Sequence, residues 1–213
     1  MLAEKKRLLI VDDEPATRTL LTQIFRQMGH EVAAAEDGFA ALEAIRQVIP
    51  DILLSDLNMP GMSGFELLSV VRRRLPQIFV IASSGAYRGD SIPEGIAADA
   101  FYEKATTLSS LFEMVKAALH TDVSARRSAD GPVPLWLSVE GEYPTGDEYF
   151  VLSCTQCLRT FPHAHPKVAG VVHTANCVFC DSVTPYAVVR LLGRVNEQAY
   201  QMELDEAGRL MQA

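Results

Sequence analysis

Residues 51–64 read DILLSDLNMPGMSG. Ile52, Leu53 and Leu54 run toward Asp56 without polar alternation, and Asn58, Pro60, Gly61 and Gly64 then supply the turn chemistry that ends a strand. An apolar run of this kind fits a strand buried on both faces, as in a parallel sheet covered by helices. Asp56 is thereby expected at the carboxyl end of that strand, where such sheets open into ligand crevices. A single Asp ending a strand is more often a satisfied loop residue than a reactive one. Its neighbours decide.

Working outward, the same grammar repeats. Leu8 to Val11 form a short apolar run that stops at Asp12, Asp13 and Glu14, and Pro15 follows at a position suited to a first helical turn. Leu20, Leu21, Ile24, Phe25 and Met28 then recur at helical spacing up to Gly29. Residues 31–35 make a short strand, and Phe39 to Val48 an amphipathic helix. A third helix is expected over Gly64–Leu75, a fourth strand over Ile78–Ala82 ending in Ser83, Ser84 and Gly85, and a fifth over 99–103 ending in Lys104. A last helix carries Leu108, Leu111, Phe112, Val115 and Leu119. Alternating strands and helices imply a doubly wound, five-stranded parallel sheet with right-handed crossovers. All strands then point one way, and Asp12, Asp13, Asp56, Ser84 and Lys104 meet at one edge.

Three carboxylates in one crevice repel, by about 4 kcal/mol for each pair ~4 Å apart at an effective dielectric near 20. A hard divalent cation such as Mg²⁺ relieves this, and it is usually held by one or two carboxylates, waters and a phosphate oxygen. A Ser hydroxyl and a Lys ammonium supply a donor and a positive charge for a phosphoryl group. Asp can serve as the covalent nucleophile of phosphoryl transfer. Singly, the aspartates read as helix caps, Ser84 as a turn residue and Lys104 as a solvated cation. Four strand ends supplying the matching set weigh against those separate readings.

These residues resemble the receiver domain of two-component response regulators over residues 1–120. The resemblance rests on Val11-Asp12-Asp13-Glu14, on Asp56 within 56–64, on Ser84-Gly85 and on Lys104. It implies a flavodoxin-like fold and Asp56 as acceptor of a phosphoryl group from a sensor histidine kinase or phosphotransfer protein. It also implies Mg²⁺ held by Asp12, Asp13, Asp56 and the Asn58 carbonyl, with Ser84 and Lys104 gripping phosphoryl oxygens. Phe101 takes the family's switch-aromatic position. Two departures stand out. Ala105 replaces the family's usual Pro after the lysine, leaving that loop less fixed. Residues 88–97, where a fourth helix belongs, contain Pro93 and Gly95 and make a poor helix. That face serves many receivers for dimerisation or output, so a homodimer is one option here. Arg72, Arg73 and Arg74 end the third helix, where they complement its dipole and read as solvated.

Residues 121–134 lose apolar periodicity and gather Ser, Asp, Gly and Pro, the composition of a linker. Residues 135–213 form a second unit, expected to be small, mostly β and zinc-binding. Cys154-Thr-Gln-Cys157 and Cys177-Val-Phe-Cys180 are separated by 19 residues, the spacing of paired zinc knuckles. An Fe–S centre or two disulfides are the alternatives, the latter disfavoured in a reducing compartment. His163, His165 and His173 lie between the knuckles and read as ordinary polar positions. Strands are expected over Glu148–Ser153, Val168–His173 and Tyr186–Leu192, and Tyr200, Met202 and Leu204 alternate with polar residues into a hairpin turn at Asp205–Gly208, with a helix over 196–212 as the competing reading. The resemblance of this unit to zinc ribbons covers its ligands alone.

The totals bound the function. The chain has 213 residues, 48% of them apolar and 22% charged, ordinary globular values. Its net charge of −8 is split evenly: 14 Lys/Arg against 18 Asp/Glu over 1–132, and 5 against 9 over 133–213. Neither half is the basic body of a phosphate-directed nucleic-acid binder. Only Leu8 to Val11 follow Lys5, Lys6 and Arg7 before Asp12, short of a signal-peptide core, and nothing approaches a membrane span. The expectation is a cytoplasmic, non-enzymatic signalling protein. Its receiver takes the phosphoryl group and its zinc-binding unit passes the signal to an unidentified protein partner. A transcription regulator that places the zinc unit on DNA is the alternative.

Overall fold

The computed structural model describes residues 5–104, 106–119, 133–139 and 149–191. The first half is a five-stranded, all-parallel sheet in the order β2-β1-β3-β4-β5. Its strands are β1 (Arg7–Val11), β2 (Glu31–Ala35), β3 (Ile52–Asp56), β4 (Phe79–Ser84) and β5 (Ala100–Glu103). The helices are α1 (Pro15–Gln27), α2 (Gly38–Gln47), α3 (Gly64–Arg74) and α4 (Leu108–Leu119). Each central strand sends alternate residues to opposite faces, as the two-residue repeat of a strand dictates. Leu9, Val11, Leu53, Val80 and Ala82 meet Ala41 and Ile45 of α2 and Phe65, Leu68 and Val71 of α3. Leu8, Ile10, Ile52, Leu54 and Ile81 meet Leu21, Ile24 and Phe25 of α1 and Leu111 and Val115 of α4. The apolar run read from the sequence is therefore a strand covered on both sides.

Local chemistry places the helices. Pro15 opens α1, and Gly29, at φ 94°, ends its C-terminal turn. Asp37 caps α2 by accepting from the Ala40 amide at 2.7 Å. Ser63 and Glu66 form a reciprocal capping box at the start of α3. Gly64 is required by closeness: a Cβ there would collide with the Asp56 carbonyl oxygen and come within 2.7 Å of the Leu57 Cα. The turn after Asp56 packs this tightly only without a side chain at Gly64.

The second half comprises β6 (Leu135–Val139), β7 (Tyr149–Ser153), β8 (Thr160–Ala164), β9 (Val172–Asn176) and β10 (Val183–Arg190). β10 pairs parallel with β6 and antiparallel with β9, while β7 and β8 form a separate antiparallel pair. Leu152, Phe161, Ala175, Tyr186 and Val188 surround Cys154 and Cys177 in a small core. The other face of the β6–β10 sheet, through Trp136, Ala187 and Val189, joins the α2–α3 side of the receiver core.

Several expectations change. The strand expected over Val168–His173 is shifted: Pro166 and Gly170, the latter at φ 74°, keep 165–171 irregular, and β9 begins at Val172. The strand expected from Tyr186 begins earlier, at Val183. β6 and β8 were unforeseen; Pro162 within β8 argues against a central strand but is tolerated in a two-stranded pair. Arg72 is not solvated. It is buried and pairs with Asp99 at 2.7 Å, and Asp99 also accepts from the Val80 amide at 2.8 Å. Residues 85–99 hold no α-helix, only a 3-10 turn at Gly89–Ser91, as Pro93 and Gly95 foretold. Ala105, Glu148, the linker up to residue 132 and the hairpin or helix over 196–212 lie outside the described residues.

Candidate functional site

The carboxyl edge of the large sheet gathers the predicted side chains. β1 delivers Asp12 and Asp13, β3 ends in Asp56, β4 ends in Ser84, and Lys104 directly follows β5. Lys104 Nζ donates to Asp56 Oδ2 at 2.7 Å and to Asp12 Oδ2 at 2.9 Å. Its backbone amide donates to the Ser84 carbonyl at 2.9 Å, which fixes the root of the side chain. Carboxylate oxygens of Asp12, Asp13 and Asp56 lie within 4.8 Å of one another. Asp12 and Asp56 are buried, while Asp13 is half-buried. The Glu14 amide donates to Asp12 Oδ1 at 3.0 Å and the Asn58 amide to Asp56 Oδ1 at 3.3 Å.

The electrostatics are those of an under-neutralised pocket. Burial pushes the Asp12 carboxyl up to about 6, with Lys104 opposing and Asp56 adding to the rise. Burial alone would pull Lys104 down, but Asp56 and Asp12 more than offset it and hold the ammonium above its ordinary value. One cation thus serves two buried carboxylates with a third beside them. Such a donor set, all oxygen and short of positive charge, suits Mg²⁺. A cavity of about 510 Å³ lined by Leu8, Val32, Ala44 and Val48 opens elsewhere, beside β2. Chemistry rather than cavity volume marks the site.

Ser84 lies at the same edge, but its hydroxyl is turned to the following loop. Oγ accepts from the Ala86 and Tyr87 amides at 3.1 and 3.2 Å. Phe101 is half-buried and packs against the core on the α2–α3 side.

The second site is the thiol cluster. The four sulfurs of Cys154, Cys157, Cys177 and Cys180 lie within 4.8 Å of one another, with Cys154–Cys180 and Cys157–Cys177 both at 3.7 Å. A disulfide needs about 2.05 Å, so these are free thiols. A tetrahedron with Zn–S bonds of about 2.3 Å has sulfurs about 3.8 Å apart, and the observed spacing fits it. The two knuckles repeat each other. Leu158 and Asp181 follow the second cysteine of each at φ 62° and 56°, and their amides donate to the Cys154 and Cys177 carbonyls at 3.1 and 2.9 Å. Ser182 Oγ stands 3.1 Å from both Cys154 and Cys180 Sγ. That hydroxyl, followed by the Cys157 and Gln156 amides, draws the Cys154 thiol down to about 5 and favours the thiolate a metal requires.

The histidines fall where ordinary packing predicts. His163 and His173 face the Tyr186 ring at 5.3 and 5.7 Å, and His165 faces Phe150 at 4.8 Å. Among the described residues, the groups able to hold a metal are the four cysteines and the three aspartates. No helix among them is long and apolar enough to cross a membrane.

Sequence reasoning missed Ser182, Tyr87 and Trp136 as participants. A hydroxyl two residues beyond the last cysteine was a usable signal. Tyr87 had none, because its significance lies in a contact 103 residues away.

The first half of the chain is similar to known proteins. Regulator of RpoS from Escherichia coli K12 is 34% identical over 118 residues, 54% of this chain and 35% of that protein. DNA-binding response regulator MtrA of Mycolicibacterium smegmatis is 41% identical over 68 residues, 32% of this chain and 30% of that protein. The chain thus spans about a third of the length of these curated relatives. Among solved structures, response regulator TrrA from Thermotoga maritima, in complex with Mg²⁺-BeF, has a TM-score of 0.50 and 33% identity, over 53% of this chain and 98% of that one. Residues 8–116, more than half of the 213, match the model of the response regulator receiver domain, and the chain belongs to that family.

Proposed function

We propose that the protein is a phosphorylation-controlled switch in which Asp56 accepts a phosphoryl group from a histidine kinase or phosphotransfer protein. The observation that carries this reading is Lys104 Nζ bonded at once to Asp56 and Asp12 at the carboxyl edge of the sheet. An Asp56 carboxylate oxygen attacks phosphorus, an O–P bond forms as the donor's N–P bond breaks, and the departing imidazole takes its proton from water. Asp12, Asp13, Asp56 and the Asn58 carbonyl hold Mg²⁺, which supplies charge neutralisation for the transferring group. TrrA, crystallised with Mg²⁺-BeF, supports that assignment. Lys104 keeps one phosphoryl oxygen while releasing its grip on Asp56, and the Ser84 hydroxyl takes another. Phe101 follows the movement of Ser84.

Residues 1–120 form the receiver in this reading, 121–134 the linker and 135–213 a zinc-bearing unit that passes the state to a protein partner, in the cytoplasm. A DNA-directed output has the charge of residues 133–213 against it, 5 Lys/Arg to 9 Asp/Glu. Absence of binding to DNA fragments at low salt removes that alternative; a salt-dependent shift supports it.

The test is labelling by a small phosphodonor with Mg²⁺. The full chain gains one phosphoryl group, and Asp56→Ala gains none. Retained labelling in Asp56→Ala refutes the assignment. Purified chain carries about one zinc in elemental analysis, Cys154→Ser carries less, and unchanged metal content refutes the four-thiolate site.

A further inference from the structure

A second pocket stands at the opposite end of the large sheet from the three aspartates. It opens at the amino ends of β1 and β2, where Arg7 and Glu31 begin their strands. Its volume of about 510 Å³ lies within the roughly 300–1,000 Å³ of small-molecule sites. Leu8, Val32, Ala33, Ala44 and Val48 give it apolar walls. Small side chains make the room: β2 reads EVAAA, and α2 contributes only Ala44 where a larger residue would fill the space. Close-packed interiors leave few voids larger than a water, so a volume of this size is a property of these residues rather than slack in the core. β2 is an edge strand, and among the described residues no further strand closes the opening.

The polar groups of this pocket are few and of one kind. His30 is only 7% exposed, and its Nδ1 accepts from the Lys6 amide at 3.4 Å. That bond leaves the ring proton on Nε2, a donor that meets no acceptor among the described residues. Arg7 is matched by Asp51 at 3.6 Å, and Glu31 by Lys5 at 2.6 Å. Arg26 is not matched. Its Nη2 donates to the Val32 carbonyl at 2.8 Å, which holds the guanidinium over β2 without neutralising it, and among the described residues no carboxylate pairs with it. The pocket thus offers one buried N–H donor, one uncompensated cation and an aliphatic floor. An aliphatic floor without aromatic rings suits an alkyl chain better than a nucleobase, and one free cation matches one negative charge.

We propose that this pocket binds a medium-chain monocarboxylate, with its alkyl body on Leu8, Val32, Ala33, Ala44 and Val48 and its carboxylate met by Arg26 and the His30 Nε2–H. The site is separate from the aspartate edge and does not depend on the reading of Asp56 as phosphoacceptor.

The experiment titrates the full chain with decanoate at about pH 7.5, where a free imidazole is neutral. It follows binding heat together with the imidazole ¹⁵N signals of His30, assigned through His30→Phe. Wild type saturates at about one ligand per chain with a dissociation constant below about 1 mM, and the His30 Nε2 signal moves. Ala44→Phe fills the floor and Arg26→Gln removes the charge; each weakens binding by roughly tenfold or more. Decyltrimethylammonium, the same chain with a positive head, binds at least about tenfold more weakly than decanoate. Arg26→Gln alters an exposed side chain, so the test stands even where Ala44→Phe fails to fold. Absence of saturation, an unmoved His30 signal, or wild-type affinity in Ala44→Phe overturns the site. Wild-type affinity in Arg26→Gln, or equal binding of decyltrimethylammonium, overturns the carboxylate as its ligand.

Discussion

Asp12→Asn should make the Mg²⁺-free protein more stable, although it removes a proposed ligand. The Asp12 carboxyl is moved from its ordinary 3.8 up to about 6, chiefly by burial, despite the ammonium of Lys104 beside it. At about 1.4 kcal/mol per pH unit, ionised Asp12 costs the fold about 3 kcal/mol at pH 7. Asparagine keeps the shape and removes the charge. It has one acceptor where Asp12 has two, so either the Glu14 amide or Lys104 loses its partner, at about 1 kcal/mol. The net gain is about 2 kcal/mol, or roughly 5–10 °C in midpoint. The folded state holds its Asp12 proton up to about pH 6, so wild type regains this stability as pH falls from 6 toward 3.8. The advantage of Asp12→Asn is therefore full at pH 7–8, shrinks below about pH 6 and reverses near about pH 4–5. Denaturant unfolding of both proteins without Mg²⁺, followed by circular dichroism at several pH values, checks it. No gain at pH 7, or a gain indifferent to pH, refutes the picture of an under-neutralised pocket.

Other consequences can be measured in the same way. Arg72→Met strips the cation from Asp99, which remains mostly buried; a loss of roughly 2 kcal/mol in unfolding free energy is expected, and an unchanged midpoint would show the pair to be dispensable. Burial holds the His30 imidazole below its ordinary value, so its contribution is present above about pH 6.5 and is lost as pH falls, when the unfolded chain binds the proton first. Comparing wild type with His30→Gln between pH 7 and 5.5 should show a shallower acid decline in the variant; parallel curves would remove His30 as its cause. Leu158 is exposed and sits at φ 62°, a region costing an L-residue about 1 kcal/mol. Leu158→Gly should therefore raise the denaturant midpoint of the four-cysteine half, and an unchanged or lower midpoint would contradict the strain argument.

The receiver was legible because its information is local and repeated. Each strand announces itself by a short apolar run, each ends at a functional group, and parallel pairing leaves those ends nowhere else to meet. The thiol cluster was legible through spacing alone, since two tight turns 19 residues apart need little else to converge. What escaped was set by contacts between distant segments. Arg72 looked like a solvated helix end until Asp99 met it across the fold. β8 was hidden by Pro162, and the 165–171 loop by valines that read as strand residues but sit beside Gly170. The weak fourth helix was visible as a defect; that a second sheet fills its place was not, because Trp136 gave no periodic signal of which face it would cover.

That substitution gives β10 its importance. Its two-residue repeat sends Tyr186 and Val188 toward the core around Cys154 and Cys177, and Ala187 and Val189 toward the receiver. The strand has no spare face. All of these side chains are buried, and a close-packed interior does not deform gradually to absorb a displacement. Movement of β10 against the receiver must therefore carry the thiol core with it or break the apolar contact at Ala187 and Val189. The parallel pairing of β6 with β10, from Leu135 opposite Tyr186 to Val139 opposite Arg190, ties Trp136 to the same motion. A helix at this position would present one stripe to the receiver and another to solvent. A two-faced strand instead places the receiver half and the thiol half on opposite sides of one backbone, with the Tyr87 hydroxyl donating to the Arg190 carbonyl at 2.8 Å at its end.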